Sequence, residues 1–129
     1  MRYKTLIIDD DPISRLLLKK KLEKNHISDT PLMFENGEVA MDYINSCDNE
    51  PTYLIYLDIN MPVMNGWDFL SRMEQKENLR DYYVFITTSS TDVVDKEHAA
   101  EYRSVINFIS KPITDQQVLA CKTVFQTQN

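Results

Sequence analysis

The sequence predicts an α/β protein: a doubly wound, five-stranded parallel sheet with helices on both faces, making three layers. Two observations carry this. Short apolar runs recur at residues 5–8, 31–34, 53–57, 83–86 and 105–109, and three of them are nearly continuous in Ile, Val, Tyr, Leu and Phe. Strands buried on both faces need that composition. The segments between the runs repeat their apolar residues at helical spacing, so strand and helix alternate from one end of the chain to the other.

The first helix is expected behind Pro12, a residue suited to a first turn, with Ile13, Leu16, Leu17 and Leu22 as its inward stripe. Val39, Ala40, Tyr43, Ile44 and Cys47 mark the second, and Trp67, Phe69, Leu70 and Met73 the third. Val93, Val94, His98 and Tyr102 give a weaker fourth. Val118, Leu119, Lys122 and Phe125 give the fifth, with the Lys122 stem lying along the apolar face. For this length the leading strand order is the flavodoxin-like 2-1-3-4-5. With no repeat, low-complexity tract or composition break, residues 1–129 are expected to form one domain.

Composition narrows the function classes. A net charge of −6, from 20 acidic and 14 basic residues, argues against nonspecific nucleic-acid binding. The basic run Lys19-Lys20-Lys21 reads as a solvated helix face. Apolar stretches fall far short of the ~20 residues of a membrane span, and no signal peptide opens the chain. Cys47 and Cys121 lack metal-ligand spacing and read as buried thiols on helices, which makes a reducing cytoplasm the expected location.

In a doubly wound sheet, ligands bind beyond the carboxyl ends of the strands. The apolar runs here end in Asp9-Asp10-Asp11, in Asp58, in Thr87-Thr88 and in Ser110-Lys111-Pro112. Each has an ordinary explanation: Asp11 before Pro12 suits a helix cap, the threonines suit a strand, and the lysine suits a surface. Caps do not explain three carboxylates converging with one lysine from the far end of the chain. Asp9, Asp10 and Asp58 in one cleft would raise one another's pKa values, and a hard divalent cation, Mg²⁺ or Mn²⁺, relieves that repulsion. A carboxylate could then attack a phosphoryl group, with the Thr87 hydroxyl and the Lys111 ammonium each holding a phosphoryl oxygen.

At these residues the chain resembles the receiver domains of two-component response regulators. The matching pieces are Leu6-Ile7-Ile8-Asp9-Asp10-Asp11, Tyr56-Leu57-Asp58-Ile59-Asn60-Met61-Pro62 and Met64-Asn65-Gly66, then Phe85-Ile86-Thr87-Thr88-Ser89 and Phe108-Ile109-Ser110-Lys111-Pro112. The resemblance implies that Asp58 is the phosphoacceptor and that Asp9 and Asp10 organise the metal, with the Asn60 backbone carbonyl as a further ligand. It implies that Thr87 and Lys111 contact the phosphoryl group and that the Lys111–Pro112 bond is cis. Phe108 matches an aromatic switch position; a plain strand residue is the alternative reading.

The implied partners are a sensor histidine kinase or a histidine phosphotransfer protein, and a downstream protein whose identity the sequence withholds. The responding face would be the fourth helix, fifth strand and fifth helix, on a monomer or a phosphorylation-dependent dimer. The implied chemistry is confined to the domain's own phosphorylation and dephosphorylation, so it is not expected to be an enzyme in the ordinary sense. The sequence stops four residues after Phe125, like the stand-alone, chemotaxis-type (CheY-like) members. One departure is Arg103-Ser104, where the family often has a Gly-Ala pair before the fifth strand.

Three rivals fare worse. A haloacid-dehalogenase-type phosphatase would make Asp9 the nucleophile and Asp11 the acid/base. The chain is short for that fold, only Asp115 follows Lys111 where an acidic pair is needed, and Asp58 is left without a role. A flavodoxin needs a hydroxyl- and glycine-rich phosphate loop after the first strand, where three aspartates stand here. A degenerate receiver acting only as a binding module would not need the intact set Asp9, Asp10, Asp58, Thr87 and Lys111.

Overall fold

A computed structural model describes residues 3–28, 30–46, 52–75, 81–89 and 93–128, with backbone alone at 81 and 123–128. Strands and helices alternate as β1 (Lys4–Ile8), α1 (Pro12–Lys24), β2 (Leu32–Phe34), α2 (Gly37–Ser46), β3 (Thr52–Leu57), α3 (Gly66–Glu74), β4 (Asp81–Thr88), α4 (Val93–Ala99), β5 (Val105–Ser110) and α5 (Asp115–Gln128). All strand pairs are parallel and the order is β2-β1-β3-β4-β5, the doubly wound arrangement expected.

β3 is the spine of the sheet. Every residue from Thr52 to Leu57 is buried, because neighbouring strands cover its edges and helices cover its two faces. Its alternate side chains feed two separate cores. Tyr53, Ile55 and Leu57 join Leu6 and Ile8 of β1 under Ile44 of α2 and Phe69 and Leu70 of α3. Leu54 and Tyr56 join Ile7 and Phe85 under Leu18 and Leu22 of α1 and Val118 and Cys121 of α5. Leu22 is completely buried, so truncation to Ala there costs about 2–5 kcal/mol. The Cys121 thiol, lifted to about 11 by burial, is core packing rather than chemistry.

Several inward stripes differ from expectation. In α1 only Leu18 and Leu22, one turn apart, reach the core. Ile13 and Leu17 are 69% and 55% exposed, and Leu16 also faces out. Three consecutive leucines span too wide an arc of a helix for all to face inward, and the Leu18–Leu22 row won. In α2, Ala40, Met41 and Ile44 are buried and Val39 is not. In α4, Val93 and Val94 are exposed and Ala99 provides the buried contact, while Tyr102 lies beyond the helix end. In α5, Leu119 is exposed beside buried Val118 and Cys121. The α3 stripe is as expected, with Phe69, Leu70 and Met73 buried. Cys47 and the Phe125 side chain lie outside the described residues.

α3 and α4 are joined by an aromatic cluster. The Trp67 ring stacks on His98 at 4.0 Å and on Tyr102 at 5.9 Å, and the Tyr102 and Ser71 hydroxyls are 3.2 Å apart. Below it, Glu74 Oε2 accepts from both the backbone N–H and the hydroxyl of Ser104. Among the described residues no helix is long and apolar enough to cross a membrane.

Candidate functional site

Sheet register decides which polar residues meet. Ile8 lies beside Leu57, Leu57 beside Ile86, and Thr87 beside Ile109. The chain therefore leaves β1 and β3 at one level, with Asp9 and Asp58 adjacent and Thr87 continuing β4 beside them. Backbone bonds extend the ladder by one step on each side: Asp58 N–H donates to Ile8 O at 2.9 Å and Asp9 N–H to Phe34 O at 3.1 Å. On the β5 side, Lys111 N–H donates to Thr88 O at 2.7 Å.

Lys111 ties the carboxylates together. Its Nζ donates to Asp9 Oδ2 at 2.6 Å and to Asp58 Oδ2 at 3.3 Å. The Lys111–Pro112 peptide bond is cis. Burial works against the ammonium, but the Asp9 hydrogen bond and the two carboxylate charges outweigh it and hold the amine above its ordinary value. Lys111 is thus a fixed positive charge at the mouth of the site.

Asp58 is nearly enclosed, 5% exposed. Its Oδ1 accepts the Asn60 N–H at 3.1 Å. Burial pushes its carboxyl above the usual carboxylate range; Asn60 N–H and Lys111 pull it down, while the Asp9 charge adds to the rise. The site therefore resists a bare negative charge at Asp58 and rewards whatever neutralises it.

Asp9, Asp10 and Asp58 each bring a carboxylate oxygen within 4.8 Å of the others, a grouping able to hold a divalent ion. Asp9 and Asp58 are buried and Asp10 is exposed, so the grouping opens to solvent at Asp10. Hard oxygen donors at this spacing fit Mg²⁺ or Mn²⁺. Asp11 stands apart from them: its side chain accepts the Ile13 N–H at 3.0 Å and caps α1, with Pro12 at the first helical position.

Thr87 is buried at the β4 end, and the neighbouring Thr88 Oγ1 accepts from Asn60 Nδ2 at 3.4 Å. Asn60 is placed with its N–H, not its carbonyl, on Asp58. Phe108 is half-buried against the α2–α3–α4 side of the core. A cavity of about 430 Å³ runs from Asp9, Thr87 and Lys111 along Ser14 and Leu17 to Ile113.

Two contributors, Ser14 and Arg15, escaped the sequence reading, and a third, Gly66, stood in a matching piece without a role. Ser14 Oγ donates to Asp9 Oδ2 at 2.7 Å and Arg15 Nη1 to Asp9 O at 2.7 Å. Gly66 packs so tightly under the Asp58 loop that an added Cβ would lie 2.6 Å from Ile59 Cα and 2.8 Å from Asp58 O. For Ser14 and Arg15 the only signal in the sequence was position, in the first turn after an acidic strand end, whereas Gly66 ends the matching piece Met64-Asn65-Gly66.

Comparison with known proteins agrees with this geometry. The family model described as the response regulator receiver domain matches residues 5–122. A probable chemotaxis protein CheY of Rhizobium etli is 30% identical over 125 residues, covering 92% of this chain and 88% of that protein. A two-component response regulator from Cytophaga hutchinsonii superposes with a TM-score of 0.83 at 25% identity, covering 96% of this chain and 97% of that one. Other relatives are much longer. The chain spans 14% of a 3′,5′-cyclic-nucleotide phosphodiesterase of Dictyostelium discoideum, to which it is 29% identical. It spans about a third of a protein-glutamate methylesterase of Burkholderia thailandensis and of a cyclic di-GMP phosphodiesterase response regulator of Xanthomonas campestris.

Proposed function

Because the chain belongs to the response regulator receiver domain family, a signalling module of two-component systems, we propose that it works by accepting a phosphoryl group on Asp58. The donor is the phosphohistidine of a sensor histidine kinase or of a histidine phosphotransfer protein. An Asp58 carboxylate oxygen attacks phosphorus, the P–O bond forms as the P–N bond breaks, and the electron pair returns to the donor imidazole. The observation that carries this reading is Lys111, whose Nζ reaches both Asp9 and Asp58.

Each residue has a distinct part. Asp9, Asp10, Asp58 and the Asn60 carbonyl would hold Mg²⁺ or Mn²⁺, which when bound neutralises charge on the phosphoryl oxygens. Lys111 turns from the carboxylates to one phosphoryl oxygen, and the Thr87 hydroxyl donates to another. Drawing Thr87 toward the phosphoryl group leaves space behind β4, which the Phe108 ring enters from β5. The face formed by α4, β5 and α5 then changes and engages a downstream protein, on a monomer or a phosphorylation-dependent dimer. A cytoplasmic location suits a phosphohistidine donor. The chemistry serves the domain's own phosphorylation state, and the match covers only 14–31% of the longer relatives.

The test is intact mass after incubation with Mg²⁺ and acetyl phosphate. Wild type should gain one phosphoryl group and Asp58→Asn none. Undiminished labelling of the Asn variant would overturn the assignment.

A further inference from the structure

Asp9 is held from every side. Its N–H donates to Phe34 O, its carbonyl accepts from Arg15 Nη1, and its Oδ1 accepts the Asp11 N–H at 2.9 Å. Its Oδ2 accepts from two donors, Lys111 Nζ at 2.6 Å and Ser14 Oγ at 2.7 Å. These two donors differ in kind. Lys111 is a charge that an incoming phosphoryl oxygen competes for, whereas the Ser14 hydroxyl is neutral and anchored on the first turn of α1.

The direction of the Ser14 hydroxyl is also informative. A helix serine commonly folds back on the carbonyl four residues earlier. Here the hydroxyl leaves the helix and crosses to a carboxylate five residues back, at the end of β1. Ser14 lines the same cavity as Asp9, Thr87 and Lys111, so the bond lies at the wall of the open site.

We propose that Ser14 is a positioning residue for the divalent cation, fixing the Asp9 carboxylate in its ligating orientation; this rests on the reading of Asp9, Asp10 and Asp58 as the metal site. Partners that orient a ligating carboxylate commonly contribute ten- to a hundredfold to metal affinity. Without the hydroxyl, Lys111 alone would hold Oδ2, and the carboxylate would turn toward the ammonium that competes with the cation for it. Metal affinity would fall in addition to any cost in folding from the lost hydrogen bond.

The test uses the full chain and Mn²⁺ alone, with bound ion read from the fall in the free-ion electron paramagnetic resonance signal and apo stability read from urea melts. Ser14→Ala should bind Mn²⁺ about tenfold more weakly than wild type, while its urea midpoint shows that it is still folded under the conditions of the titration. Ser14→Thr, which restores a hydroxyl, should recover most of the affinity. Ser14→Cys, similar in shape but a weak donor, should resemble Ser14→Ala and serves in its place if the alanine variant does not fold. Wild-type affinity in both Ser14→Ala and Ser14→Cys would overturn the role of Ser14 and leave the metal site standing. Failure of Ser14→Thr to recover affinity would also overturn it. Absence of Mn²⁺ binding by wild type would overturn the metal site, and this inference with it.

Discussion

Glu74, the last residue of α3, accepts two hydrogen bonds from Ser104 through a single carboxylate oxygen, from the backbone N–H at 2.9 Å and from the hydroxyl at 2.5 Å. This gives Ser104 a structural role in the Arg103-Ser104 pair that departs from the small residues common before the fifth strand. The turn into β5 is anchored to α3 by a charged acceptor, and Ser104 is buried there. Glu74→Ala should lower stability by about 1.5–3 kcal/mol, the range for a hydrogen bond to a charged group. Urea melts measure this, and amide exchange should accelerate at Ser104 and Val105 more than in β1 or β3.

The apo protein should be destabilised by the buried Asp58 carboxylate at neutral pH. The Asp58 carboxyl titrates above its ordinary 3.8, chiefly because it is buried. A carboxyl with a raised folded value contributes stability below the unfolded value, and that contribution is lost as pH rises through the folded value. Asp58→Asn should therefore have the higher urea midpoint at pH 7 without metal, and the gap should narrow as pH falls toward 3.8. Adding Mg²⁺ should raise the wild-type midpoint and leave the Asn variant nearly unmoved.

Neighbouring aspartates should separate by phenotype. Asp10, exposed and grouped with Asp9 and Asp58, is assigned to the cation by the proposed metal site. Asp11, bonded to the Ile13 N–H, belongs to α1. Asp10→Ala should weaken Mg²⁺ binding strongly without loss of apo stability. Asp11→Ala should cost about 0.5–2 kcal/mol as a lost cap while keeping metal affinity. Mg²⁺ titration and urea melts on both variants would expose the reverse pattern.

Gly66→Ala should damage the site from behind. The added methyl would meet backbone, Ile59 Cα and Asp58 O, which cannot swing aside as a side chain can. Overpacking of this kind costs about 1–3 kcal/mol, and relief would come from moving the loop that carries Asp58. Stability and the rate of phosphorylation by acetyl phosphate should fall together, whereas Glu74→Ala should lower stability with less effect on that rate.

Thr87→Ala should still accept phosphate on Asp58 but lose the conformational response, because Thr87 lies between the chemistry and β5. Phe108→Ala should behave similarly. Amide shifts with and without beryllofluoride, across residues 93–122, check both variants. Full wild-type shifts in Thr87→Ala would rule out this route.

Sequence carried the site further than it carried the helices. Asp9, Asp58, Thr87 and Lys111 were legible because parallel strands must leave a sheet at one edge, and the topology alone brings those ends together. α1 was misread at Ile13, Leu16 and Leu17 because an unbroken Leu16-Leu17-Leu18 run admits several apolar faces, and only packing against Ile7 and Tyr56 selects Leu18. Ser14 was silent for a different reason: a serine in a first helical turn is ordinary, and its bond to Asp9 depends on where β1 ends in space. The Glu74–Ser104 anchor joins residues 30 apart, with no local signature in either.

The stack of Trp67 on His98 has a practical consequence. Trp67 is the only tryptophan of the chain, and it sits one residue into the helix that follows the Asp58 loop, with its ring against α4. The molecule thus carries an intrinsic fluorophore at the joint between α3 and α4, the helix proposed to respond. Indole emission is sensitive to an imidazole in van der Waals contact, so a displacement of α4 by a fraction of the 4.0 Å ring separation would be read as a change in intensity, without any label.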